Sequence, residues 1–127
     1  MTTTSPEPNH LVTYALVAVA GAAGALFRFG LDSIGVSSPT ATLLANTIGC
    51  LLLGGLVSVS APDDRRSRAI IGGGFLGALT TYSGLATITL EGDLAVGAGY
   101  LLLTYSLGLS ALWAGGVLTR ERRFEWR

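Results

Sequence analysis

Residues 69–90, AIIGGGFLGALTTYSGLATITL, carry no charge and are long enough to cross a bilayer. Their middle is unlike that of a simple membrane helix. Gly72, Gly73, Gly74 and Gly77 are poor helix formers, and Thr80, Thr81 and Ser83 bring hydroxyls to mid-membrane depth. Backbone that leaves the helix at that depth survives only where it is buried in protein or lines a polar cavity. The stretch predicts a broken helix, with a permeation or ion site at the centre of the chain.

Three more segments are apolar enough to span. Residues 40–61 and 94–119 are free of charge, and residues 11–27 fall slightly short. Arg28 can snorkel and carry that first span to about residue 29. Half of the 127 residues are hydrophobic, 13% are charged and 18 are Gly, which excludes an ordinary soluble domain. The expected organisation is a polar tail over residues 1–10, one four-helix transmembrane domain over residues 11–119, and an Arg/aromatic tail over residues 120–127 that anchors at the interface. The tail before the first span lacks Lys and Arg, so that span reads as mature structure rather than a signal peptide. Cys50 is the only cysteine, and no disulfide framework can form within one chain.

Charge placement is informative although the formal net charge is +0. Arg65, Arg66, Arg68, Arg120, Arg122, Arg123 and Arg127 share one side of a four-span topology, whereas the other side has Arg28 together with Asp32, Glu91 and Asp93. The positive-inside rule counts Lys and Arg, so both termini should be cytoplasmic and the chain should insert in that orientation only, as a multi-pass protein of the cell membrane. No nucleic-acid partner is expected. The loops over residues 30–39, 62–68 and 91–93 are short and force neighbouring spans to run antiparallel. Small residues at four-residue spacing, which let helices approach closely, recur in every span: Gly21/Ala25, Cys50/Gly54, Gly73/Gly77 and Ala111/Gly115. Some pairs pack within the subunit, and the surplus suggests an oligomer.

Few side chains carry chemistry. Asn46 lies near the middle of the second span, with Thr42 one turn earlier on the same face. Asn46 either hydrogen-bonds another helix or offers its amide to a passing anion. Tyr100, Thr104 and Gly108 form one stripe of the fourth span, and Ser106 and Ser110 form a second. The Tyr and Thr hydroxyls could equally satisfy themselves on backbone carbonyls. Arg28 is either a headgroup anchor or a cation that concentrates anions at a vestibule. No acid lies within a span, against the membrane-embedded carboxylate that proton-coupled exporters usually need. No nucleophile–base set or metal-ligand cluster can be assembled, so an enzyme is not expected.

Taken together, GAAGALFRF (residues 21–29), TLLANTIGCLLLG (42–54), GFLGALTTYS (74–83) and the Tyr100/Thr104 stripe resemble the CrcB/Fluc family of small fluoride channels. The resemblance covers essentially the whole chain beyond its first ten residues. It implies an all-α membrane protein of four helices, the third broken, pairing with an inverted second subunit to enclose two narrow pores. It further implies a structural Na⁺ at the dimer centre, held by the backbone carbonyls of Gly77 and Thr80. Asn46, Tyr82, Ser83, Tyr100 and Thr104, with Thr42 beside Asn46, would line the anion path, and Arg28 would lie toward the vestibule. A small, strongly hydrated anion needs NH and OH donors in place of water.

The chain departs from the family at a pair of phenylalanines whose positive ring edges face the ion. Tyr82 occupies the first position and Leu85, which has no ring, the second; Ala86 and Ile88 stand where the family has Ser and Glu. An inverted homodimer requires one sequence to insert both ways, which seven Arg against one should forbid. The expected assembly is a heterodimer with a paralogue of opposite bias and a complete Phe pair. The expected function is passive export of cytoplasmic fluoride, without ATP. A non-conducting supporting subunit is the first alternative, and a small multidrug exporter, disfavoured by the missing carboxylate, is the second.

Overall fold

The computed structural model describes residues 10–33, 38–59, 65–91 and 93–124, all helical but for short connections. Helix α1 is His10–Ser33 and α2 is Ser38–Val59. Helix α3, residues 65–79, opens with one α-turn at Arg65–Ser67, continues as a π-helix over Arg68–Leu76 and closes with α-geometry at Gly77–Leu79. Helix α4 is Tyr82–Glu91 and α5 is Leu94–Phe124. Residues 1–9 of the polar tail, residues 34–37 and 62–64 of the first two loops, and the Trp126/Arg127 anchor lie outside the described residues.

Four helical stretches are long and apolar enough to span a membrane: His10–Ser33, Ser38–Val59, Arg65–Leu90 and Leu94–Arg120. None buries more than 22% of its most apolar window inside the subunit. Leu26, Phe29, Leu90, Leu94, Leu102 and Trp113 all point outward. Such an apolar exterior fits hydrocarbon as its solvent. The buried core is correspondingly small, with Ala45, Leu76 and Leu79 surrounded by Leu31, Leu56 and Phe75.

Glycines set the packing. A Cβ on Gly54 would strike the Leu112 carbonyl of α5, and one on Gly115 would strike the Leu51 carbonyl of α2. Each helix therefore uses a glycine to admit the other's backbone, and the pair meets along most of its length. Gly24 admits the Phe75 carbonyl in the same way, and a Cβ on Gly74 would lie 2.8 Å from the Val17 carbonyl oxygen, joining α1 to α3. Contacts advance together along both partners: Val17 meets Gly74 and Gly24 meets Leu79, while Tyr100 reaches Pro39 and Gly116 reaches Ser58. Spans one and three thus run in one direction, spans two and four in the other. Arg65, Arg66, Arg68 and Arg120 fall at one end of the bundle, and Arg28, Asp32 and Asp93 at the other.

Helix ends extend past the uncharged segments. Gly30 and Ser33 are still helical, and Ser33 Oγ donates to Phe29 O at 2.8 Å. Asp93 caps α5, its carboxylate accepting Ala95 N–H at 2.8 Å. The last helix continues to Phe124, so part of the basic tail is helical.

Candidate functional site

The glycine-rich part of the third span stays wound. Gly72, Gly73 and Gly74 belong to the π-helix, whose wider turns lack the tight side-chain packing of an α-helix. Backbone geometry changes later. Thr80 is extended at φ −76°, ψ 152°, and regular helix resumes only at Tyr82. The two threonines thus form a step between α3 and α4, with carbonyls facing it from one side and amides from the other.

Side chains take up the polar groups of this step. Asn46 Oδ1 accepts Thr81 N–H at 2.8 Å, and Asn46 Nδ2 donates to Thr81 O at 3.2 Å. One amide side chain of α2 therefore replaces both a donor and an acceptor that an uninterrupted helix would supply. Thr81 Oγ1 accepts Gly84 N–H at 3.2 Å and lies 3.0 Å from Ser83 Oγ, which makes Thr81 the N-cap of α4. Thr80 turns back, donating through N–H and Oγ1 to Leu76 O at 3.0 and 3.1 Å. Its methyl occupies the hollow left by Gly49. On the other side of the step, buried Thr42 packs where a Gly84 side chain would stand.

Beside the step is a cavity of about 420 Å³ between α2, α3, α4 and α5. Polar groups in its lining include Asn46, Thr80, Thr81, Tyr82, Thr104 and Tyr105, while leucines such as Leu53, Leu76 and Leu85 make the rest largely apolar. Thr104 is 8% exposed, and its buried hydroxyl bonds no backbone group among the described residues, with the Tyr100 hydroxyl as its side-chain partner. Tyr100, one turn away, gives its own proton to Pro39 O at 2.8 Å. Tyr82 is 74% exposed although it sits at the middle of a membrane span, and Gly73 meets nothing within 4 Å.

The residues singled out from the sequence separate accordingly. Asn46, Gly77, Thr80, Tyr82 and Thr104 converge on the cavity. Ser83 lies beside it through Thr81, and Thr42 lies one turn from Asn46 under Gly84. Tyr100 ties the start of α5 to the start of α2. Arg28 is remote from the cavity and pairs with Asp32 at 3.6 Å, one turn along α1. Thr81, Cys50 and Leu85 are lining residues absent from the candidate set; the Thr81–Tyr–Ser–Gly order could have been read as an N-cap inside an apolar run. Among the described residues no group of three or more His, Cys, Asp or Glu could hold a metal ion.

Comparison with known proteins places residues 15–116 within the family described as "CrcB-like protein, Camphor Resistance (CrcB)". A Pseudomonas fluorescens protein named fluoride-specific ion channel FluC is 39% identical, the match covering 82% of this chain and 94% of the relative. A Dehalococcoides mccartyi protein of the same name is 35% identical over 81% of this chain and 88% of its own. From Methanospirillum hungatei, fluoride-specific ion channel FluC 1 is 30% identical over 88% of this chain and 81% of its own.

Proposed function

This chain belongs to the CrcB-like family, and from that premise we infer that it is a subunit of a fluoride-specific ion channel in a membrane, not an enzyme. One observation of its own geometry carries the reading furthest. The N-terminus of α4 opens at mid-span onto a cavity whose lining includes Thr80, Thr81 and Thr104. A helix N-terminus favours negative charge, and hydroxyl groups beside it are the kind of donor that a dehydrated anion needs. Asn46 keeps one further N–H beyond the one given to Thr81. Fluoride would pass these donors with Tyr100 and Ser83 flanking them, driven outward by the inside-negative potential at about 2.3 kcal/mol per charge per 100 mV.

The assembly we propose is a dimer with an inverted second subunit. Its support is the exposed face of Gly73, Gly77, Tyr82 and Ser83, a polar and aromatic surface at a depth where hydrocarbon would be a poor neighbour. On this reading the Thr80–Thr81 step is the break of the third transmembrane helix, facing its counterpart. The Gly77 and Thr80 carbonyls are hard oxygen donors suited to Na⁺, and they sit at the negative end of α3. Such an ion would neutralise the acceptors at the dimer centre. The Arg asymmetry supports a paralogue of opposite bias as the proposed partner and a cytoplasmic side for both termini.

Leu85 favours a second reading in which the partner supplies the conducting rings and this subunit supports them, since it lines the cavity yet has no quadrupole to offer. Nothing favours a multidrug exporter. The test is growth of a fluoride-sensitive bacterium lacking its own exporter. Co-expression of this chain with the paralogue should restore growth in fluoride, and failure of every combination would refute the channel reading.

A further inference from the structure

We propose that Asn46 and Thr81 build the cation site, by diverting the two amide donors that would otherwise close the Gly77 and Thr80 carbonyls. The inference rests on the Na⁺ reading above. In an uninterrupted α-helix Thr81 N–H would bond Gly77 O and Gly84 N–H would bond Thr80 O. Here Thr81 N–H goes to Asn46 Oδ1 at 2.8 Å, and Gly84 N–H goes to Thr81 Oγ1 at 3.2 Å. The two carbonyls that flank residues 77–80 are already used. Leu76 O accepts both the N–H and the hydroxyl of Thr80, and Thr81 O accepts Asn46 Nδ2. The hydrogen bonds therefore take up the flanking carbonyls and leave those of residues 77–80, Gly77 and Thr80 among them, for a cation.

Asn46 is a positioning residue in this scheme, because it acts on the ion only through the Thr81 amide. It also lines the cavity assigned to the anion. One side chain thus links the two ion sites: turning Asn46 away from Thr81 removes the partner that holds the extended Thr80 backbone, and rewinding there would return the Thr81 amide to Gly77 O and close half of the cation site.

The test is a Na⁺ titration of the assembled, full-length complex in detergent, with choline replacing Na⁺ at constant ionic strength and thermal unfolding as the readout. Asn46→Ala and Thr81→Val should each raise the half-saturating Na⁺ concentration at least about tenfold. Thr81→Ser keeps the capping oxygen and should stay within about twofold of the unmodified protein. If Asn46→Ala does not assemble, the Thr81→Val and Thr81→Ser pair carries the test. Lowered melting temperatures with an unchanged Na⁺ midpoint would mean a merely structural role and overturn the inference. So would an unmodified complex with no Na⁺ dependence, which would leave the fluoride reading standing because that rests on growth and flux.

Discussion

At the scale of single residues, the structure separates groups that hold the backbone from groups left over for an ion. Asn46 is spent on both backbone groups of Thr81. Replacing it by Leu strands a donor and an acceptor at the step, a loss of about 1–3 kcal/mol for each that stays buried. Asn46→Leu should lower the thermal midpoint and abolish fluoride flux together. Thr104 is the opposite case, since its buried hydroxyl holds no backbone group among the described residues and has only the Tyr100 hydroxyl beside it. Thr104→Val should leave thermal stability unchanged or slightly raised while reducing fluoride flux at least tenfold in a liposome assay. A fall in stability with unaltered flux would show that Thr104 serves packing alone. Leu85 is buried against the same cavity, so Leu85→Phe has room for its ring and should fold. Increased flux in that variant would favour a direct lining role, and no change would favour the supporting one.

At the scale of elements, glycines sort by what faces them. Gly54 and Gly115 each admit a carbonyl of the other helix, so Gly115→Leu should separate α2 from α5 and prevent folding, as loss of a cooperative thermal transition would report. Gly73 faces open space. Gly73→Leu should keep the helical content by circular dichroism yet weaken association with the second subunit, seen as a shift toward monomer in size-exclusion chromatography. This division was only partly legible in the sequence. Apolar length and the scarcity of charge give the four spans directly, and four-residue spacing marks the close-packing glycines. The spacing does not say which glycine meets a neighbouring helix, because that depends on crossing points set by the whole bundle. The position of the step was hidden for a similar reason. Intrinsic propensity points to the triple glycine, whereas the backbone leaves the helix at Thr80, where Asn46 from α2 offers a substitute partner. Tertiary hydrogen bonding overrode local propensity there. Arg28 and Asp32, at i and i+4, were readable as a pair from spacing alone.

For the whole molecule, packing gives two parallel pairs of spans with most Arg residues at one end. In the inverted pairing proposed above, that polarity argues for a partner of different sequence. Cysteine accessibility at both termini, in cells expressing this chain alone, should find a single orientation with both termini inside; equal populations would permit a self-paired inverted dimer. The claim on which the rest depends is that these donors conduct fluoride. It is tested most directly by a fluoride electrode recording efflux from KF-loaded liposomes, with valinomycin carrying K⁺ and KCl-loaded liposomes in parallel. Liposomes holding this chain with its opposite-bias paralogue should release fluoride rapidly while retaining chloride. Fluoride release no faster than from protein-free liposomes, or equal release of both halides, would contradict the account.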